Sequence, residues 1–389
     1  MKRKKILFLT TLFPDENKKW YCVFIKHLAA GLSKLDCDVT VLVLKNSNEE
    51  SVTTTETNNF KVIYYNKKYD KIDSRIPYCN QHKYRRIIKT INNYIHLKNI
   101  DVLHIHFFDL SLLKLSNLII KYYKPKIFIH FHGLMIKYKS IKSMILELLK
   151  YPIIRKIIKN ADVLIGVSNK VSNELRSKFK NKRVHTIYNG VDLKLFYPYG
   201  SISSEDKISI ACIGNLIESK GQYYLINALK KCIDDLPGHK IKLNIIGTGI
   251  KENEYKELVG CLGLEKYILF YGEMDQSEIA ELLRKTDIFI LPSYFEALGC
   301  VYLEAMASET ATVGCRGQGI EEIITDGING MLVRPKDIED IEKVIKFLVI
   351  NKKKRLEIAK RGFSAVTRQY TWTSSAKELN KLYEKVLED

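Results

Sequence analysis

The sequence predicts an α/β protein built from two doubly wound, Rossmann-like domains of parallel sheet. A chain of 389 residues exceeds what one hydrophobic core ordinarily organises. Short, wholly apolar runs alternate along it with helix-length segments, and this alternation is interrupted once. Runs that lack a polar face belong to strands buried on both sides, as in a parallel sheet covered by helices.

The first series of runs is ILFLTTLF from Ile6, VTVLVL from Val39, KVIYY from Lys61, VLHIHFF from Val102, KIFIHFHG from Lys126, VLIGVS from Val163 and VHTIYNG from Val184. Between most of them lie Lys-, Leu- and Ile-rich segments at helical spacing. Asp192 to Lys207 (DLKLFYPYGSISSEDK) breaks the pattern with Pro, Gly and Ser and reads as a linker. A second series follows: ISIACIG from Ile208, IKLNIIGTG from Ile241, YILFYG from Tyr267, IFILPS from Ile288, TATVGC from Thr310 and GMLV from Gly330. The expected division is a domain over residues 1–190, a linker over 191–207 and a domain over 208–371. Trp372 to Asp389 reads as an amphipathic helix that crosses back to the N-terminal domain. A ligand is expected between the two domains, at the C-terminal ends of their strands.

Composition narrows the class. With 46% apolar and 28% charged residues the chain is ordinary for a globular protein. No apolar stretch approaches the length of a membrane span. The opening MKRKKILFLTTLF superficially resembles a signal peptide. Its apolar run is short, Pro14-Asp15-Glu16 follows, and no small-residue cleavage site appears, so it reads as a first core strand. Eight cysteines without a CxxC pair suggest free thiols in a reducing cytoplasm, with Cys300 and Cys315 as small packing residues.

The net charge of +19 is uneven: residues 1–190 hold 36 Lys+Arg against 14 Asp+Glu, and residues 191–389 hold 27 against 30. A Lys-rich coding bias does not account for an excess confined to one half. That half is expected to meet an anionic partner: a membrane surface, a lipid diphosphate, an acidic polymer or nucleic acid. Met135 to Asn160 carries seven Lys+Arg and one Glu among Ile, Leu, Met and Tyr, and such a basic amphipathic segment can lie on an anionic bilayer. The plainer reading is a pair of helices packed on the N-terminal sheet and broken near Pro152.

Two groups of residues carry chemistry. In FEALGCVYLEAMA, Glu296 follows a short strand ended by Pro292-Ser293, and Ala297 to Ala307 has the composition of a helix. Gly299 near its first turn lets backbone N–H groups approach a ligand, and a helix N-terminus attracts a diphosphate. Glu304, about two turns on, is placed to accept from a ribose diol; alone, the two glutamates are equally well solvated surface charges. Separately, His104/His106 and His130/His132 form two H-x-H pairs whose period of two puts each pair on one strand face, an arrangement suited to metal. They raise a rival class, a metal-dependent hydrolase, although no acidic ligand or general base is recognisably placed beside them. Asp36-Cys37-Asp38 mimics a D-x-D metal motif but opens a strand and reads as structural.

The motifs IYNGVDLKLF from Ile187, CIGNLIESKGQYYLINAL from Cys212, NIIGTG from Asn244, YGEMDQSEIAELLRKTDIFILPSYFEALGCVYLEAMA from Tyr271 and GQGIEEIITDGINGMLV from Gly317 occur in this order. The series resembles the retaining glycosyltransferases of family 4, which have the two-domain GT-B fold. The match covers most of the C-terminal half and is looser before it.

The resemblance implies a role for each matching residue. Lys220 is similar to the lysine that neutralises the donor diphosphate, and Asn215 stands where the family usually has an arginine. Glu296 resembles the glutamate facing the donor sugar and Glu304 the one binding the ribose, with backbone N–H groups of Ala297, Leu298 and Gly299 on sugar and phosphate. Backbone near Gly272 to Met274 would meet the base, and His132 in FHFHG would approach the sugar 6-hydroxyl, leaving His130 and the other pair structural. The first βα loop lacks the family's glycines, with Cys22 near an expected one: either the backbone approaches the diphosphate less closely, or Trp20 and Tyr21 shape an acceptor pocket.

The resemblance further implies transfer from a UDP- or GDP-sugar to a polyprenyl-diphosphate-linked or growing glycan in cell-envelope polysaccharide assembly, at the cytoplasmic face of a membrane. No metal is expected. The departing phosphate oxygen would take the acceptor proton on the front face, so Glu296 supports rather than attacks the sugar. A nucleic-acid-binding protein using the basic half is the remaining alternative, and it leaves Lys220, Glu296 and Glu304 unexplained.

Overall fold

A computed structural model describes residues 3–15, 22–57, 59–69, 81–106, 110–133, 152–198 and 207–389. The chain divides into two compact units, Met1–Ile187 with Ser375–Asp389, and Tyr188–Ser374. The divide precedes the expected residue 190 because the following backbone is tied to the second unit. The Val191 N–H donates to the Tyr370 carbonyl at 3.0 Å, and a Cβ on Gly190 would meet the Thr371 carbonyl carbon at 2.2 Å.

The first unit is organised on eight strands: β1 (Lys4–Thr10), β2 (Cys37–Ser47), β3 (Ser51–Glu56), β4 (Lys61–Lys68), β5 (Val102–His106), β6 (Lys126–Phe131), β7 (Val163–Gly166) and β8 (Arg183–Thr186). Their order is β3-β4-β2-β1-β5-β6-β7-β8. All neighbours are parallel except β3, which pairs antiparallel with β4. The strand order changes its direction of progress between β1 and β5, which makes this the switch point of the sheet.

The helices are α1 (Val23–Ser33), α2 (Gln81–Asn92), α3 (Leu110–Tyr123), α4 (residues 152–160) and α5 (Asn169–Lys178). The chain's last helix, α12 (Trp372–Glu388), begins in the second unit and from Ser375 belongs to the first. Its Ala376, Leu379, Tyr383 and Val386 share one core with Ile25, Leu28 and Leu32 of α1 and with Phe8, Val41 and Phe128 of the sheet. A Lys4–Glu384 ion pair at 2.9 Å and a Cys37 Sγ–Asn380 contact at 3.2 Å fix the same helix. The expected return of the terminal helix therefore has a packing cause.

Two local features bear on the sequence reading. Cys22, which stands near the expected glycine of the first loop, adopts the left-handed conformation (φ 52°) that glycine tolerates best. Asp36 is left-handed too (φ 56°) and turns the chain into β2, which Cys37 and Asp38 open, with both aspartates exposed.

The second unit has six parallel strands, β9 (Lys207–Ile213), β10 (Lys240–Ile246), β11 (Ile268–Phe270), β12 (Ile288–Ile290), β13 (Ala311–Cys315) and β14 (Met331–Val333), in the order β11-β10-β9-β12-β13-β14. Its helices are α6 (Gln222–Asp235), α7 (Glu252–Cys261), α8 (Gln276–Arg284), α9 (Cys300–Ala307), α10 (Ile338–Ile350) and α11 (Lys352–Gln369). The reversal lies between β9 and β12, so the loops carrying Lys220 and Glu296 leave the sheet at its switch point. Among the described residues seven cysteines are free thiols, and no helix is long and apolar enough to cross a membrane.

Candidate active site

After β9 the chain makes a single 3-10 turn, Glu218–Lys220, and enters α6 through Gly221 at φ 78°. A Cβ on Gly221 would meet the Pro292 carbonyl oxygen at 2.3 Å, so only glycine lets the loop after β12 lie this close. The two loops are then tied together. The Ser293 hydroxyl and the Tyr294 N–H both donate to the Ser219 carbonyl, at 3.1 and 3.0 Å, and the Tyr294 hydroxyl donates to the Glu218 carboxylate at 3.0 Å. On this frame Lys220 forms an ion pair with Glu296, their side chains 19% and 14% exposed.

Helix α9 starts at Cys300, not at Ala297 as its composition suggests. Gly299 caps it with φ 80° and ψ 95°, a conformation that cannot continue a helix upstream. A Cβ there would also press on the Tyr302 ring at 2.7 Å, and that ring is fixed by its hydroxyl donating to the Leu291 carbonyl at 2.6 Å. Ala297 and Leu298 bury their side chains, 6% and 1% exposed. A Cβ on Gly319 would lie 1.7 Å from the Ala297 carbonyl oxygen, so the 296–298 turn is seated on the chain after β13. From that segment the Gln318 side-chain oxygen accepts the Glu296 N–H at 3.0 Å.

Burial and the Glu304 carboxylate push the Cys300 thiol well above its ordinary range, and Asn189 donates to its sulfur at 3.4 Å. A protonated, hydrogen-bonded thiol fits a packing role. Burial pushes the Glu304 carboxyl up to about 7, against a hydrogen bond with Gln276 that favours ionisation.

The remaining residues expected on the donor lie on neighbouring strand ends of the same unit. Asn215 has an exposed side chain, and its carbonyl accepts from the Gln222 amide at 3.1 Å. Gly272 (φ 72°) accepts the Gly247 N–H at 2.6 Å, while a Cβ on Gly247 would sit 2.3 Å from the Gly214 oxygen. Met274, two residues on, is partly exposed. Gln318, Tyr302 and Asn189 position this site and were not singled out from the sequence, although Gln318 and Asn189 sit in the GQGIEE and IYNG motifs.

His132 lies in the first unit, just past β6. The parallel register sets His104 beside Phe128 and His106 beside His130, so all four histidines share one face. Their rings stack in succession: His104 on His106 with centroids 4.4 Å apart, His106 on His132 at 5.1 Å, and His130 on His132 at 4.4 Å. Phe24 of α1 covers His132 at 4.4 Å. The His106 Nδ1 and His132 Nε2 are hydrogen-bonded at 2.8 Å, and His104 Nδ1 is bonded to the Tyr383 hydroxyl. Burial lowers all four basicities, with neighbouring imidazoles adding to the effect at His104, His106 and His132; His130 falls to about 3. Among the described residues, the group able to hold a metal contains histidines alone, without an acidic ligand or base. Trp20, Tyr21 and residues 135–151 of the basic segment lie outside the described residues.

Two family models match in succession: Glycosyltransferase Family 4 over residues 23–195 and Glycosyl transferases group 1 over residues 200–365. Among relatives, N-acetyl-alpha-D-glucosaminyl L-malate synthase of Bacillus anthracis is 30% identical over 61% of this chain and 63% of its own length. The chain spans about 60% of the length of the curated relatives it matches first. Sucrose-phosphate synthase of Thermosynechococcus elongatus superposes with a TM-score of 0.76 at 18% identity, covering 99% of this chain and all (100%) of the other. HepE of Anabaena, solved with UDP-glucose, gives 0.70 at 17% identity, covering 98% and 99%. The fold is thus GT-B, and the chain belongs to the group 1 glycosyltransferases of family 4.

Proposed function

We propose that the protein transfers a sugar from a nucleotide-diphosphate donor, UDP- or GDP-linked, to a polyprenyl-diphosphate-linked or growing glycan, with retention of configuration. The observation that carries this reading is the Lys220–Glu296 pair at the β9/β12 switch point, next to the N-terminus of α9. As the sugar leaves, negative charge builds on the diphosphate, and a cation already fixed in place stabilises it without reorganisation. The dipole at the start of α9 adds to that field.

On this reading Lys220 exchanges part of its bond with Glu296 for the diphosphate, and Glu296 is released to support the sugar. Glu304 accepts from the ribose diol, the backbone of Ala297 to Gly299 meets sugar and phosphate, and Gly272 to Met274 border the base. Asn215 takes the place of a second cation, so the diphosphate depends more heavily on Lys220. His132 orients the donor sugar. The departing phosphate oxygen takes the acceptor proton, and the transfer itself needs no metal.

The UDP-glucose bound by HepE supports a nucleotide-diphosphate sugar as donor. The basic excess of residues 1–190 supports an anionic lipid-linked acceptor and attachment to the cytoplasmic face of a membrane, in the assembly of a cell-envelope polysaccharide. A screen of UDP-, GDP- and ADP-sugars by thermal shift and nucleotide release tests the donor half. One donor should stabilise the protein, and Lys220→Ala and Glu304→Ala should weaken it. If no donor binds, or if both variants bind as the native chain does, the reading fails. Vesicle flotation tests the surface: binding independent of anionic lipid content overturns attachment by charge.

A further inference from the structure

We propose that His104, His106 and His130 form a binding site for a divalent transition metal, with zinc the favoured ion, and that the ion braces the core of the first unit. The inference stands apart from the transfer chemistry and does not depend on it.

Geometry comes first. One nitrogen from each of the three rings lies within 4.8 Å of the other two. Nitrogens about 2.0–2.1 Å from a tetrahedral zinc lie about 3.3 Å apart, so ring rotations draw them in while the strands stay still. Register places the donors on adjacent parallel strands, with His106 directly beside His130.

The nitrogens then show what they lack. Among the described residues, His104 Nε2, His106 Nε2 and both ring nitrogens of His130 have no hydrogen-bond partner, though the three side chains are at most 2% exposed. Buried polar atoms are ordinarily satisfied, and each exception calls for a cause such as an ion. One metal would satisfy three of them at once.

The other nitrogens are already engaged in the way ligands require. His104 Nδ1 meets the Tyr383 hydroxyl and His106 Nδ1 meets His132 Nε2. With Nδ1–H donating in each case, the lone pair is left on Nε2, the atom without a partner. Metal-ligating histidines characteristically have their second nitrogen held by such an outer partner, which sets tautomer and ring orientation.

The donor set selects the ion. Imidazole nitrogens suit zinc, copper and nickel, whereas magnesium and calcium require oxygen. Three protein ligands leave a fourth position for hydroxide, which lowers the charge carried into an apolar setting. Phe8 packs on His104 and His106 at 4.9 and 4.6 Å, and Tyr383 meets both His104 and Phe128 edge-on. A bound ion would therefore join β5 and β6 to each other and, through the Tyr383 hydroxyl, to α12.

The test uses the full chain, made without a polyhistidine tag, stripped with chelator and titrated with zinc and with cobalt. One equivalent should bind, the cobalt form should show the visible absorption of a tetrahedral site, and melting temperature should rise with zinc. X-ray absorption at the zinc edge should show nitrogen ligation at about 2.0–2.1 Å with imidazole scattering. His130→Phe should abolish stoichiometric binding, and Tyr383→Phe should weaken it about 10–100-fold. Substoichiometric or only millimolar binding overturns the proposal, as does sulfur ligation or full binding by His130→Phe. Should that variant fail to fold, the ligation seen in the native chain decides.

Discussion

The sheets of the two units are wound alike about a central strand, yet they keep their polar groups at different heights. In the second unit, β12 is wholly buried, and the charged groups come after the strands, on loops that approach closely at Gly221 and are tied by Ser293 and Tyr294 to the Ser219 carbonyl. In the first unit the polar groups lie inside the strands, His104 and His106 within β5 and His130 within β6. A group on a loop at the switch point can change partners when a ligand arrives without disturbing the core. A group within a strand cannot, so its partner has to be a neighbouring side chain or an ion held among the strands. The same winding thus places charged groups on loops at the switch point of one unit and a packed polar cluster inside the strands of the other.

The largest effect expected from this contrast is on Lys220. Lys220→Ala should lower kcat/KM about 10²–10³-fold, the loss seen when one fixed stabilising donor is removed from a developing anion, ~3–4 kcal/mol. It should move the melting temperature little, because a partly exposed pair contributes little to stability. A variant that melts far below the native chain while keeping its donor affinity would make the pair structural, and the contrast would collapse.

Gly299→Ala is next. It forces a left-handed φ on a residue with a Cβ and presses that Cβ on the Tyr302 ring, a strain of ~1–3 kcal/mol. For a unit of this size that corresponds to a fall in melting temperature of about 2–4 °C per kcal/mol. Donor affinity should fall with it, since the turn that presents Ala297 and Leu298 shifts. In the first unit, Tyr383→Phe leaves His104 Nδ1 buried without its hydroxyl and should destabilise by ~1–3 kcal/mol. Donor affinity measured on the same preparation should be unchanged. Loss of donor binding in Tyr383→Phe would show that His104, beyond His132, also serves the donor.

How much of this was legible beforehand follows the same division. Strands such as β1, β5, β9 and β12 announce themselves because both faces are buried and the run is wholly apolar. The edge strand β3, SVTTTE, has no such run and gave no signal, since its exposed threonines earn their place by β-branching and pairing with β4. The ion pair of Lys220 with Glu296 was approached through motifs in order, because each residue sits in a local pattern. The start of α9 was misplaced because the backbone angles of Gly299 are invisible in composition. The histidine stack was half legible: period two reveals each pair, but only the β5/β6 register sets His106 beside His130.

The smallest expected effect is also the one that best separates binding from stability. Glu304 has its carboxyl raised from the ordinary 4.5 to about 7 by burial. Its protonated form is therefore favoured by folding, and the stability this gives is full below about 4.5 and lost as pH rises through about 7. Hydrogen bonds from a ribose diol favour the ionised form instead. Donor affinity should consequently strengthen about tenfold from pH 6 to pH 8, as the ionised share grows from about a tenth to about nine tenths. Glu304→Gln should flatten that profile and melt higher than the native chain near pH 8. The two readouts move in opposite directions at one carboxyl, which a merely packed side chain would not do. A native affinity that stays level across this range would remove Glu304 from the donor and place it with the buried groups of the core.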